Sequence, residues 1–205
     1  MAEPAPRLVT LTGEALRARL PDLGRLRAAV FREWPYLYEA DPGYETRYHG
    51  PYAESPGAAL ILALAGEEAI GASTCLPLAD ETPNLRAPFE AHGLDPARFF
   101  YFGESVLRPA WRGHGLGVGF FAAREAHARA VPGIHFATFC AVDRPANHPA
   151  RPPGAVPLDA FWRRRGYVPI PLSCRMRWRD LGEAGETEKT LRFWAKPLAD
   201  APLPV

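Results

Sequence analysis

Apolar residues recur along this chain with two periods, and the switch from one to the other predicts its elements. Residues 7–11 alternate weakly, as a first strand would. Residues 12–20 read as a short helix with Thr12 as N-cap, and Pro21 interrupts it. A second helix follows at 22–34, with Leu23, Leu26, Ala29, Val30 and Phe31 near helical spacing, and Pro35 closes it. Residues 36–52, dense in tyrosine and carboxylates, are expected as a long loop of the kind that binds ligands. Two apolar runs, 58–65 and 69–76, flank Gly66-Glu67-Glu68 and predict a hairpin. Residues 81–92 have mixed helical character and stop at Gly93, while 98–107, rich in aromatics, predict a central strand. Residues 117–130 predict a helix, with Leu116, Phe120 and Ala123 on one apolar face, and 134–142 a further strand. Prolines break 143–157 into a connection without regular structure, before a short helix at 158–166 that ends on Gly166. Strands are expected at 167–172, 174–178 and 190–195, with a polar hairpin tip at 182–187. The pattern is that of one mixed α/β (α+β) domain with a mostly antiparallel sheet and no internal repeat.

Composition narrows the class without naming a function. Hydrophobic residues make up 47% of the chain and charged residues 23%, the balance of an ordinary soluble domain. A formal net charge of +1 gives no reason to expect nucleic acid or an anionic membrane as a partner. The longest apolar run, 58–65, is far too short to span a bilayer, and Met1-Ala-Glu-Pro-Ala-Pro-Arg7 lacks a signal core. Cys75, Cys140 and Cys174 stand far apart in apolar segments, so buried free thiols of a cytoplasmic protein are expected. The histidines show no metal-ligand spacing, and no metal is expected.

The chemistry is concentrated between the strand at 98–107 and the helix at 117–130. Val106-Leu-Arg-Pro-Ala-Trp-Arg-Gly-His-Gly-Leu-Gly-Val-Gly119 is a glycine-rich turn that runs into a helix. Such a junction aims several backbone N–H groups and the positive end of a helix dipole at one point, which suits a phosphate. No G-x-x-x-x-G-K-[ST] string occurs, so it is not a Walker loop. A dinucleotide fingerprint would need glycine at Val118 or Phe120. The spacing that fits is [Arg/Gln]-x-x-Gly-x-Gly/Ala, as Arg112-Gly-His-Gly115-Leu-Gly117. With the strand exit Leu107-Arg-Pro-Ala-Trp-Arg-Gly113 and the downstream Phe161-Trp-Arg-Arg-Arg-Gly-Tyr167, it resembles the GNAT N-acyltransferases. The matched features run from about residue 58 to residue 178. Phe31-Arg-Glu-Trp-Pro-Tyr-Leu-Tyr38 also looks like a stretch in poorly characterised bacterial members, a similarity that names no substrate.

The resemblance implies a GNAT-like acyl-CoA N-acyltransferase fold whose central strands, 98–107 and 134–142, splay apart. It implies a single domain over 1–205: an N-terminal strand, helices and acceptor loop at 1–56, an acyl-CoA core at 57–180, and a C-terminal hairpin strand and tail at 181–205. Acetyl-CoA or another acyl-CoA would be the co-substrate, with Val106, Leu107, Arg112, Gly113, His114, Gly115, Leu116 and Gly117 holding its pyrophosphate and pantetheine. Asn147 matches an asparagine that hydrogen-bonds CoA in the family, and Trp162 stands where the family often has a tyrosine acting as general acid. An indole N–H has no transferable proton at useful pH, so Trp162 would pack against pantetheine or fill core. The Leu107 N–H would polarise the thioester carbonyl.

Acyl transfer to an amine also needs a base. Glu104 is placed either to serve as that base, its pKa raised by burial, or to pair with an arginine; both readings stay open. Glu39, Asp143 and His135 are lesser candidates. Trp34, Tyr36, Tyr38, Glu39 and Tyr44 are expected at the acceptor, where aromatic faces and acids would receive a cationic amine; an aromatic cap with surface acids is the alternative. The expected activity is N-acetyl transfer to a small-molecule or peptide amine by direct attack in a ternary complex, with a homodimer compatible. The alternative is a catalytically silent acyl-CoA sensor on the same fold.

Overall fold

The computed structural model describes residues 5–204, and the side chains at positions 42, 44, 46 and 47 lie outside what it describes. Among the described residues seven strands form one sheet in the order β1-β2-β3-β4-β5-β7-β6. They are β1 (Arg7–Leu11), β2 (Ala59–Ala65), β3 (Glu68–Pro77), β4 (Phe99–Leu107), β5 (Phe136–Val142), β6 (Val168–Trp178) and β7 (Thr187–Pro197). The helices are α1 (Gly13–Val30), α2 (Pro42–Glu54), α3 (Pro83–Glu90), α4 (Leu116–Arg129) and α5 (Asp159–Arg163). Alternation along β2 shows how the layers arise. Leu60, Leu62 and Leu64 face a core shared with Leu16, Leu23 and Leu26 of α1 and Leu85 and Phe89 of α3. Ala59, Ile61 and Ala63 face a second core, shared with Leu116, Phe120 and Phe121 of α4. Burying each large apolar side chain contributes about 1.5–3 kcal/mol, so both faces of the sheet must be covered.

Three expectations are corrected. The helices at 12–20 and 22–34 are one helix, α1, which runs through Pro21. The proline removes one backbone bond, and the packing of Leu16, Leu23 and Leu26 on the sheet outweighs that loss. The loop at 36–52 is largely helical, as α2, with Pro51 inside it and Tyr52 packed into the core. The two strands at 167–172 and 174–178 are one, β6, whose register against β7 shifts between Pro169 and Ser173. Pro169 and Pro171 cannot donate to a ladder, and β6 tolerates them because it is an edge strand.

Every strand pair is antiparallel except β4 with β5, whose connection is the α4 crossover. That one parallel pair is short: Phe99↔Phe136, Phe100↔Ala137 and Tyr101↔Thr138. Beyond it β4 stays with β3 to Leu107 while β5 follows β7 to Val142. The cleft opens where β4 carries a bulge. Ser73 pairs with Ser105 but Cys75 with Phe102, so Thr74 stands opposite both Gly103 and Glu104. The extra residue reverses which face each later side chain takes. Phe99 and Tyr101 lie on the α1 face before it, and Val106 lies there after it. Glu104, which unbroken alternation would send toward α4, is thereby turned toward α1 and α2.

Gly103 is required at this bulge. A Cβ there would lie 2.1 Å from the Tyr52 hydroxyl and 2.4 Å from Thr74 Oγ1. Gly103→Ala should therefore cost about 1–3 kcal/mol by overpacking, read as a lowered midpoint in urea unfolding.

Candidate acyl-CoA and acceptor site

The glycine turn forms as the sequence predicts. Gly113 has φ 84° and Gly115, the N-cap of α4, has φ 80°, both in the left-handed region that side chains disfavour. The first bond of the helix runs from the Gly119 N–H to the Gly115 carbonyl, so the N–H groups of Leu116, Gly117 and Val118 precede it and point off the helix end. Arg112, Gly113, His114 and Gly115 are exposed around that point, and Leu116 is buried beneath it. Arg112 reaches Glu33 at 2.8 Å and donates from Nε to the Leu107 carbonyl at 3.2 Å.

Leu107 ends the strand at the open cleft. The Arg108 N–H donates to the Ile70 carbonyl on β3. Backbone groups alternate in direction along a strand, so the Leu107 N–H points off the other edge of β4, where β5 has departed. The buried Val106 holds this end of the strand in the α1-side core. Val106, Leu107 and the segment 112–117 are thus brought together.

Trp162 and Asn147 are not brought into that cluster in the same way. Trp162 stacks edge-on against Phe139 and Trp194, with ring centroids 5.1 and 5.0 Å away, and so fills the α4-side core. Its neighbour Phe161 approaches closer to the turn: a Cβ on Gly117 would lie 3.5 Å from the Phe161 ring. Asn147 is exposed in a turn closed by the His148 N–H on the Pro145 carbonyl.

On the opposite face of the cleft lies a cavity of about 50 Å³, walled by Phe31, Tyr36, Tyr38, Tyr48, Tyr101 and Trp178, with Glu104 and Arg27 among its polar groups. Two of the expected acceptor residues, Tyr36 and Tyr38, are here. Trp34 is not: it stacks 5.3 Å from the His148 ring in the proline-rich connection. Glu39 is not either, being paired with Arg32 at 3.3 Å. The side chain of Tyr44 lies outside the described residues. Arg144, unnoticed in the sequence, fixes this loop. It donates to the carbonyls of Pro35 and Tyr36 and makes a two-pronged pair with Asp180, while Tyr38 bridges to Asp180 through the backbone. Burial would raise the Asp180 pKa, but the hydrogen bonds from Arg144 and Lys189 outweigh it and hold the carboxyl below its usual value.

Glu104 is the paired carboxylate rather than the lone buried acid. Its Oε2 accepts from Arg27 Nη1 at 2.8 Å and from the Tyr48 hydroxyl, and its Oε1 accepts from Thr74 Oγ1 at 3.2 Å. Arg27, 4% exposed, also reaches Glu45 at 2.8 Å and lies 3.6 Å over the Tyr48 ring. Burial alone would lower the arginine's pKa, and the carboxylates of Glu104 and Glu45 overcome it and hold it above its usual value. Two carboxylates against one guanidinium leave the pocket with an excess negative charge. Arg27 carried one usable signal: it sits four residues after Leu23 and one after Leu26, on the apolar face of α1. Arg27→Leu, which strands the Glu104 charge, should cost about 3–5 kcal/mol in urea unfolding. Adding Glu104→Gln should recover part of that loss, as coupling between the two sites requires.

No family model matches the sequence, and none of the curated proteins does. Solved structures do match. A GNAT-like decarboxylase, GphF, in complex with isobutyryl-CoA is 19% identical, with a TM-score of 0.58 over 94% of this chain and 100% of its own. An acetyltransferase of the GNAT family from Staphylococcus aureus is 11% identical, with a TM-score of 0.57 over 95% of this chain and 100% of its own. Escherichia coli ElaA is 17% identical, with a TM-score of 0.56 over 94% and 99%. At these identities the likeness is one of architecture, and with the bulged, splayed strand pair and the glycine turn it shows that this chain has the GNAT acyl-CoA N-acyltransferase fold.

Proposed function

We propose that the chain is an acyl-CoA-dependent N-acyltransferase that transfers acetyl from acetyl-CoA to an amine by direct attack. One observation supports the reading: a phosphate-suited turn, an outward N–H at Leu107 and an aromatic pocket lined by Glu104 all adjoin the second half of β4. The turn N–H groups from Gly113 to Gly117 would hold the pyrophosphate, and glycine lets it approach the backbone. The open edge of β4 would pair with the pantetheine amides, and the Leu107 N–H would take the developing oxyanion. The Oε1 of Glu104 accepts only one weak bond and retains room to orient an acceptor N–H. The acceptor is a small-molecule or peptide amine, and the cytoplasm is the proposed setting.

The pocket's charge favours an amine over the decarboxylation named for GphF. A carboxylate substrate would face Glu104, with the lining cation Arg27 already committed to Glu104 and Glu45. The specific observation behind the sensor reading is Trp162, which is locked in an aromatic stack and offers no acid for the departing thiolate. A CoA thiolate leaves readily enough for water to serve.

Thiol release from acetyl-CoA, followed across a set of primary amines, tests the reading, and silence across several acyl donors would count against it. Glu104→Gln should slow an enzyme while leaving acyl-CoA binding intact. Gly115→Val, which forces a β-branched residue to φ 80°, should weaken acetyl-CoA binding by at least about tenfold in calorimetry.

A further inference from the structure

Behind the aromatic pocket lies a second cavity of about 270 Å³, between α2, the start of α3 and the edge of β6. Tyr48 and Met176 line both cavities and form the wall between them. Glu81 faces the larger one and is only 6% exposed. Its Oε2 accepts from the Thr82 N–H at 2.9 Å, a neutral partner. Every other buried carboxylate among the described residues carries a cation: Arg27 on Glu104, Lys196 and Arg129 on Glu125, Arg144 and Lys189 on Asp180. Glu81 has none.

The groups that face it explain its state. Tyr48 and Tyr52 come from α2, Glu104 from β4, Thr82 from the N-cap of α3 and Asn84 from α3 itself. At the rim, Arg175 is taken up by Glu188, and Arg177 donates to the Glu186 carbonyl. Burial, unrelieved by any cation, pushes the Glu81 carboxyl up to about 7. Such a group is a carboxylate near neutral pH that lacks, and so attracts, a positive partner.

We propose that Glu81 is the catalytic base of the acyl transfer, receiving the proton of a primary ammonium acceptor in this second cavity. The inference rests on the acyltransferase reading. The ammonium N–H bond breaks and an O–H bond forms on Glu81. The neutral amine passes Met176, the unbranched and adaptable side of that wall, to the cleft, and its lone pair forms the C–N bond to the thioester carbon. The C–S electron pair leaves with the CoA sulfur, which takes the proton shed by the acylated nitrogen. Glu81 then returns its proton to solvent through the cavity mouth. A base whose pKa lies near working pH meets the requirement of an amine that is otherwise mostly protonated. Glu104, already held by Arg27, Tyr48 and Thr74, is left to orient the amine.

The test is the pH–rate profile of thiol release from acetyl-CoA, with ethylamine, phenethylamine and glycinamide as acceptors. The wild-type rate should rise through about pH 7 and level off as Glu81 loses its proton. Glu81→Gln should lower kcat about 100-fold. The same variant should abolish that limb and leave the KM for acetyl-CoA unchanged. Glu81→Asp should restore the limb at a reduced rate. Acyl transfer that keeps the limb in Glu81→Gln, or loses it only in Glu104→Gln, overturns the assignment of Glu81 alone. Acetyl-CoA binding without transfer to any amine by the wild-type chain overturns the acyltransferase reading, and the base with it.

Discussion

The contact between Arg27 and Glu104 joins the parts of this molecule that must agree. Two charges taken out of water are costly, and the geometry recovers that cost only when the remaining hydrogen-bonding positions are filled. They are filled from three directions: Glu45 and Tyr48 from α2, Thr74 from β3, and the ring of Tyr48 beneath the guanidinium. The pair therefore fixes the position of α1 and α2 relative to β4, and with it the width of the aromatic pocket. It also depends on the bulge, because Glu104 lies on the side of Arg27 only while Gly103 and Glu104 share Thr74 as their partner.

The two sides of the cleft are built by different physics. On the α4 side, backbone does the work: left-handed glycines, a helix end and an unpaired strand edge need few particular side chains. On the α1 side, the aromatic pocket is built of side chains drawn from α1, α2 and the strands β4, β5, β6 and β7, so it depends on tertiary packing. The proline-rich connection belongs to the second side, since Arg144 uses it to fasten the Pro35–Tyr36 carbonyls to Asp180.

That division explains what the sequence made legible. The strands at 58–65, 69–76 and 98–107 and the turn at 112–117 are local in origin, and each appears within a residue or two of its expected place. Glycines in a fixed order reveal a positive φ without any knowledge of neighbours. The second site is the opposite case. Glu81 reads as an ordinary acid before a helix, and nothing local shows that it lacks a cation. Arg144 reads as a surface arginine among many, and Arg27 shows itself only by its place on the apolar face of α1. Trp34 and Glu39 look as good as Tyr36 and Tyr38 until the loop is folded, and then His148 and Arg32 claim them. The helix at Pro42–Glu54 was hidden because its prolines, glycines and tyrosines carry little helical propensity, and packing of Tyr48 and Tyr52 supplies what propensity does not.

The bulge at Gly103 also sets how β4 can change over time. Strand side chains alternate faces, so length and identity are separate kinds of information there. Removing one residue near position 103 would take out the bulge and leave the downstream faces as they are, because Glu104 and Val106 would then alternate directly with Phe102 and Ser105. Alternation carried straight through Gly103 with no residue lost would instead exchange the faces: the acid would enter the apolar layer under α4, and the cleft would lose its polar wall without any substitution at all. What this strand must keep is therefore the place where its register slips, as much as the residues it carries.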